Sequence, residues 1–423
     1  MTAGEALPRR VLPPLRRWLE LLVTAGLIAG GAWYVWDWWR NRGSELNISC
    51  FAYRDINRNG IYDTADRPYA GLEVALFRPR GDAVGAVSNI SGFTNFPMSA
   101  TKWAAPINEP GAYRIEARPP KGWVVTSRNG EQEFSFKRLD GSPAGLVAER
   151  TLIPVGIAPE LTISGSVAVD GAPVTIRALS PSGDLEYPKV EASGAFTFPA
   201  EAGEWQLTFS QRAAQVVRRV TVRDYAVVLS RVVVGATAPP SRTESRVVDF
   251  DTLTPSDTLY EVPRGYAGLD WYNWVATHQK MYKSDGMING TTSSEYFAYN
   301  SSGHPATISR AQPFDLAGTH IGVAWPNAER FDIEVRAWRG TDLAYTDRLR
   351  GRVAGPVYFD ADYRGITRIE MRSLGYWQVV LDDLMYRIDP TAPAADGPAP
   401  AGASARPSAP PATAASRPAA AGS

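Results

Sequence analysis

Ile48-Ser49-Cys50-Phe51-Ala52-Tyr53, Asp55-Ile56-Asn57-Arg58-Asn59-Gly60-Ile61-Tyr62-Asp63-Thr64-Ala65-Asp66 and Leu72-Glu73-Val74-Ala75-Leu76-Phe77 follow one another near the start of the chain. The first piece is short and rich in strand formers, and the third alternates with period two, so both read as β-strands. The middle piece offers side-chain oxygens at loop positions one, three, five, nine and twelve, a carbonyl at seven and a glycine at six, a spacing that suits one hard cation, calcium. Zinc would need His or Cys, which this loop lacks. Strands in place of helices on both sides exclude an EF-hand. The expected Ca2+ ligands are Asp55, Asn57, Asn59, the Ile61 carbonyl, Asp63 and Asp66. The competing reading is a solvated turn whose Asn and Asp side chains cap their own backbone.

Working outward, the same unit continues through Ser91-Gly92-Phe93 and through Gly111-Ala112-Tyr113-Arg114-Ile115-Glu116-Ala117-Arg118-Pro119-Pro120-Lys121-Gly122-Trp123-Val124-Val125-Thr126. With the acidic loop, this run resembles the B repeats of Gram-positive surface adhesins, which place a D-x-N-x-N-G-x-x-D-x-x-E loop after the first strand of a β-sandwich. Three positions depart from that pattern: Cys50 stands where the family has Gly, Pro68 interrupts its Glu-x-Gly, and Asp66 replaces the final Glu. The resemblance implies a calcium-binding sandwich over residues 47–157.

A second unit, residues 159–235, carries Leu161-Thr162-Ile163-Ser164-Gly165-Ser166-Val167, Gly194-Ala195-Phe196-Thr197-Phe198 and Gly203-Glu204-Trp205-Gln206-Leu207. It resembles the carboxypeptidase regulatory-like sandwich, which implies a spacer or docking element. A third unit, residues 246–388, holds Val248-Asp249-Phe250-Asp251, Gly265-Tyr266-Ala267-Gly268-Leu269-Asp270-Trp271 and Val380-Leu381-Asp382-Asp383-Leu384. These segments are similar to a jelly roll of secreted bacterial proteins, in outline a carbohydrate-binding module. That likeness makes Trp271, Tyr272, Asn273 and Trp274 an expected sugar platform, with aromatic rings to stack and an amide to meet hydroxyls. The competing reading puts the two tryptophans in the sandwich core. By the same analogy, Asp249 and Asp251 at the start of the unit and Asp382 and Asp383 at its end form an expected second metal site, if its first and last strands pair; if their side chains turn outward they are merely solvated.

Composition narrows the classes further. The 423 residues suffice for several domains, and 44 basic against 44 acidic side chains give no reason to expect nucleic acid as partner. One cysteine excludes an intrachain disulfide. From Trp18 to Trp39, about 22 nearly uncharged residues are long enough to cross a bilayer. Arg9, Arg10, Arg16 and Arg17 precede that segment and an aromatic belt including Trp36, Trp38 and Trp39 ends it, so a single-pass helix (18–39) with a cytoplasmic N-terminus (1–17) and a periplasmic or extracellular bulk is expected. The alternative is a cleaved signal peptide, with Leu21 to Ile28 as its apolar region and Ala29-Gly30-Gly31-Ala32 as its cleavage site. Residues 389–423, dominated by Pro, Ala, Gly and Ser, cannot bury enough apolar surface to fold and read as a disordered tail.

Beyond the anchor the fold class is therefore all-β: tandem sandwiches plus a jelly roll. No Gly-x-Ser-x-Gly elbow or His-Glu-x-x-His pair accompanies the three histidines, all in the third unit. The expected function is non-catalytic binding of a glycan or surface polymer at a bacterial envelope. A structural spacer with envelope-protein partners is the alternative, and a glycan-active enzyme a minor one.

Overall fold

A computed structural model describes residues 14–40, 47–98, 104–138, 146–148, 152–253, 258–282, 284–329 and 331–389. The expected cytoplasmic stretch up to residue 13 and the tail from 390 lie outside these. The helix Pro14–Arg40 contains the span Trp18–Trp36, which is exposed among the described residues and is long and apolar enough to cross a membrane, as an anchor or as an export signal. Among the described residues that follow, the regular structure is β-strand apart from one five-residue helix and short 3-10 turns.

In the first unit the strand Asn47–Arg54 is the hub. It pairs in parallel with Leu152–Pro159, from Ser49 opposite Leu152 to Arg54 opposite Ile157, so the unit's first and last strands close it. Phe93–Pro97 pairs antiparallel with the same strand. A second sheet runs in the order Ala83–Val87, Glu73–Phe77, Gly111–Arg118, Glu131–Arg138, Leu146–Ala148. Alternate residues from both sheets, among them Ile48, Cys50, Val74, Leu76, Ile115 and Val155, fill the space between them. Gly92 turns the chain at φ 81°, and a Cβ there would sit 2.4 Å from the Ala52 carbonyl oxygen, so only glycine fits the turn expected at Ser91-Gly92-Phe93.

The second unit is also a two-sheet sandwich, with Trp205, Phe196, Phe198 and Phe209 in its core. Its sheets do not end at its own boundary. Val227–Leu229 pairs in parallel with Tyr358–Asp360 of the third unit, which makes one continuous thirteen-stranded sheet. The second and third units thus share a sheet.

The third unit is built on three long strands, Ala306–Val323, Val357–Ser373 and Val379–Ile388. Register shifts along Ala306–Val323 bend it against both neighbours. Its first strand, Glu244–Val248, pairs with its last, Val379–Ile388, ending with Val248 opposite Leu384.

The first unit also clasps the third. The buried Asn289 amide donates to the Ala70 carbonyl at 2.8 Å and accepts from the Ala70 N–H at 3.3 Å, as a strand backbone would. Arg54 donates to the Thr291 carbonyl at 3.0 Å, and Arg67 to the Ser293 carbonyl at 2.8 Å and to that of Ser294. The Arg54 guanidinium also lies 5.4 Å from the centre of the Tyr225 ring, from the second unit.

Candidate functional site

The acidic loop is closed by its own hydrogen bonds. Asp55 is buried and accepts from the Asn59 N–H at 3.1 Å and the Gly60 N–H at 2.8 Å. Asp66, also buried, accepts from the Ile56 and Asp63 N–H groups, each at 3.0 Å. Gly60, at φ 75°, lets the loop lie against the Thr126 carbonyl, to which a Cβ would come within 3.0 Å. Burial raises the Asp66 pKa, and the neighbouring charges of Asp55 and Asp63 add to the rise.

The all-oxygen donor set and the mutual repulsion of three carboxylates match the chemistry a hard cation would meet. The side-chain directions do not. Asp63 takes the amide N–H groups of Asn57 at 2.8 Å and Asn59 at 2.9 Å, and with its bond to the Ala65 N–H these hold its carboxyl below the usual range. The asparagine oxygens instead accept from the Asn59 and Ile61 backbone. The Ile61 side chain is exposed. Among the described residues no three His, Cys, Asp or Glu side chains converge on a metal position. These bonds cap the loop on its own backbone.

The four aspartates of the third unit gather around the segment Thr292–Ser294. Asp382 accepts from the Thr292 N–H at 2.7 Å and lies 2.8 Å from the Thr292 hydroxyl, which is 2.6 Å from Asp383. A hydroxyl has one proton and cannot serve two ionised carboxylates at once. Burial, then the charge of Asp383, lifts the Asp382 pKa well above the usual range. His320 Nδ1 stands 3.5 Å from Asp383. Asp251 bonds the Ser294 hydroxyl, and Asp249 accepts from the Asp251 N–H at 3.2 Å. Asp382 and Asp383 thus meet Thr292 and Asp251 meets Ser294, while among the described residues no three His, Cys, Asp or Glu side chains converge there.

The aromatic platform is corrected. Trp271 is 3% exposed and Trp274 0%, so neither indole can offer a face to a sugar. They meet edge to face 6.2 Å apart inside the core, and Trp271 Nε1 donates to the Tyr266 carbonyl at 2.9 Å. Asn273, at φ 62°, spends its amide on the Ser301, His304 and Pro305 carbonyls. Of the four, Tyr272 alone stands in solvent. The break at Asn273, between the strands Asp270–Tyr272 and Trp274–His278, lets both indoles turn inward although they stand three residues apart. In a unit this rich in aromatics, large apolar rings gain more by burial than by waiting for a ligand.

What the sequence reading missed is a cleft of about 880 Å³ between the second and third units. One wall is Ala214–Val222 and the turn after it; the other comes from the three long strands. Tyr358, Asp360, Asp362 and Arg364 alternate along one strand and so face the cleft together. His320 packs between the rings of Tyr225, 4.8 Å away, and Tyr358, 5.2 Å away.

No protein-family model matches the chain. The serine-aspartate repeat-containing protein F of Staphylococcus epidermidis is 24% identical over 102 residues, which are 24% of this chain and 6% of that relative's length. The shaft pilin SpaA of Lactobacillus rhamnosus GG superposes on 46% of this chain and 99% of its own, at 9% identity and a TM-score of 0.22. The tandem CBM22 domains of Paenibacillus barcinonensis Xyn10C cover 64% of this chain and 92% of their own, at 12% identity and a TM-score of 0.20. Superpositions this loose support no transfer of architecture or function.

The histidines are bound into the scaffold. His278 is buried, holds Glu295 at 2.8 Å through Nε2 and accepts the Lys280 N–H at 3.0 Å through Nδ1. His304 lies beside the Tyr376 ring, and His320 sits in the aromatic stack of the cleft. The signal that would have found the cleft is the Tyr-x-Asp-x-Asp-x-Arg stripe of residues 358–364, whose period-two charges sit on a strand too apolar to be an outer edge.

Proposed function

We propose that this chain is an envelope scaffold, tethered by its N-terminal helix and holding three β-units in one fixed arrangement for protein partners at the cell surface. The observation that carries the reading is the clasp of Asn289 on Ala70, with Arg54 and Arg67 on the carbonyls of residues 291–294. Repeats that swing on linkers would leave those carbonyls to water. Buried polar bonds between units fix an angle, because breaking them strands desolvated groups. The shared sheet between the second and third units supports the same reading. Glycan remains the second class of partner, held away from Trp271 and Trp274. Calorimetry of the full chain in detergent tests the proposal: one cooperative transition is expected, splitting into two when Asn289→Ala and Arg54→Ala are combined. Separate transitions in the unaltered chain would end it.

Calcium is proposed as a stiffener of the first unit. Asp55, Asp63 and Asp66 with Asn57 and Asn59 would hold it once the two asparagine amides turn their oxygens inward, and the cation would neutralise three crowded carboxylates. A ligand that binds only the folded form must stabilise it. Millimolar calcium should therefore raise the melting temperature of the chain and leave Asp63→Asn unmoved; equal curves with calcium and with chelator leave only the self-capped turn.

A further inference from the structure

We infer that the cleft between the second and third units binds an oxyanion, a carboxylate or phosphate group carried on a small polar molecule or short oligomer. Its volume of about 880 Å³ lies within the range of small-ligand sites, about 300–1,000 Å³. Five arginines and four aspartates line it. Two of the aspartates are already committed: Asp360 to Arg218 at 2.9 Å, and Asp362 to Arg364 at 2.9 and 3.1 Å. Asp383 is turned toward Thr292 and His320. Asp224 is exposed at the rim, as are Arg219 and Arg223.

That leaves Arg219, Arg223 and Arg387 with no carboxylate within 4.0 Å among the described residues. Arg387 is half-buried, and its hydrogen-bond partner there is the Ser241 hydroxyl at 3.4 Å, a weak contact for a guanidinium. Guanidinium is the group best shaped to hold carboxylate or phosphate by two parallel bonds, and a concave wall strengthens the attraction by excluding water. The committed pairs do a different job. Arg218 and Asp360 come from different units and brace the two walls, so the unpaired arginines project into a space of fixed width. Arg387 comes from the third unit and Arg219 and Arg223 from the second, and the site exists only where the units share their sheet.

The test is isothermal titration of the full chain in detergent with three probes: trigalacturonate for the carboxylate arm, glucose 6-phosphate for the phosphate arm and maltotriose as the neutral control. At least one anionic probe is expected to bind, with maltotriose weaker by about tenfold or more, and the arm that binds names the source of the oxyanion. Arg387→Gln combined with Arg219→Gln should weaken binding by about tenfold while the melting temperature stays put; Arg387→Lys, which keeps the charge and loses the fork, should fall between. Silence from both anions, equal binding of maltotriose, or unchanged affinity in the double variant would each overturn the assignment. Affinity is read here and cooperativity in calorimetry, so this site and the scaffold reading can fail independently.

Discussion

Glu334 is 2% exposed and is held by three arginines, Arg372 at 2.8 Å, Arg336 at 2.9 Å and Arg348 at 3.5 Å. Burial alone would push its pKa up, but the hydrogen bond from Arg372 and the charges of Arg336, Arg372 and Arg348 outweigh burial and hold the carboxyl below the usual range. A folded-state pKa below the unfolded one means that this cluster stabilises the protein above the unfolded value, about 4.3, and that the contribution is lost as pH falls through the folded value. Glu334→Gln should therefore cost about 2 kcal/mol near neutral pH, since the amide keeps one hydrogen bond and loses the charge that three guanidinium groups share. Thermal unfolding followed from about pH 7 to about pH 3 should show the gap to the unaltered chain closing at the acid end. A gap constant across that range would mean that packing, not charge, is what the glutamate supplies. The same logic separates Glu334 from Asp382, whose buried carboxyl has no arginine this close, so burial and the charge of Asp383 raise its pKa instead.

Among the elements, the join that matters most is a short one. Val227–Leu229 meets Tyr358–Asp360 over three residue pairs, flanked by Tyr358 N–H to the Ala226 carbonyl and Ser230 N–H to the Asp360 carbonyl, each at 2.9 Å. Proline at 230 would delete the second of these bonds and leave the buried strand with an unpaired carbonyl. Ser230→Pro should loosen the second unit from the third by about 1–3 kcal/mol, read as faster amide exchange along Tyr358–Asp360 with exchange in Asn47–Arg54 unchanged. Uniform exchange everywhere would show that the join contributes nothing local. This join also marks the limit of what a sequence can tell. Period-two alternation exposed the strands, and Gly92 and Gly60 announced their turns, because each of these depends on near neighbours. Whether a tryptophan at an alternating position faces core or solvent depends on which sheet covers it, and so the indoles of Trp271 and Trp274 could not be placed. Nor could the cleft, whose arginines lie more than a hundred residues apart and meet only because a three-residue parallel ladder brings their strands together.

At the scale of the whole molecule, a rigid β-body behind one apolar helix works as a surface scaffold only if the body is exported and the helix stays in the membrane. Four arginines before the apolar span Trp18–Trp36 and the aromatic residues at its far end argue for an N-terminus left inside. The chain carries its own control for testing this. Cys50, the sole cysteine, is 0% exposed, and burial raises its thiol to about 12, so it stays protonated and out of reach of a maleimide. Any labelling in intact spheroplasts must then come from a cysteine placed on purpose. Tyr272, 66% exposed on the third unit, is a position where substitution removes little packing. Tyr272→Cys should react fully with a membrane-impermeant maleimide added outside, and Thr2→Cys should react only after the membrane is permeabilised. If the helix is instead a cleaved export signal, Tyr272→Cys still labels but the body leaves with the supernatant, and the tether fails while the exported fold survives. Protection of Tyr272→Cys with free labelling of Thr2→Cys would invert the topology, and a scaffold facing the cytosol has no envelope surface to organise.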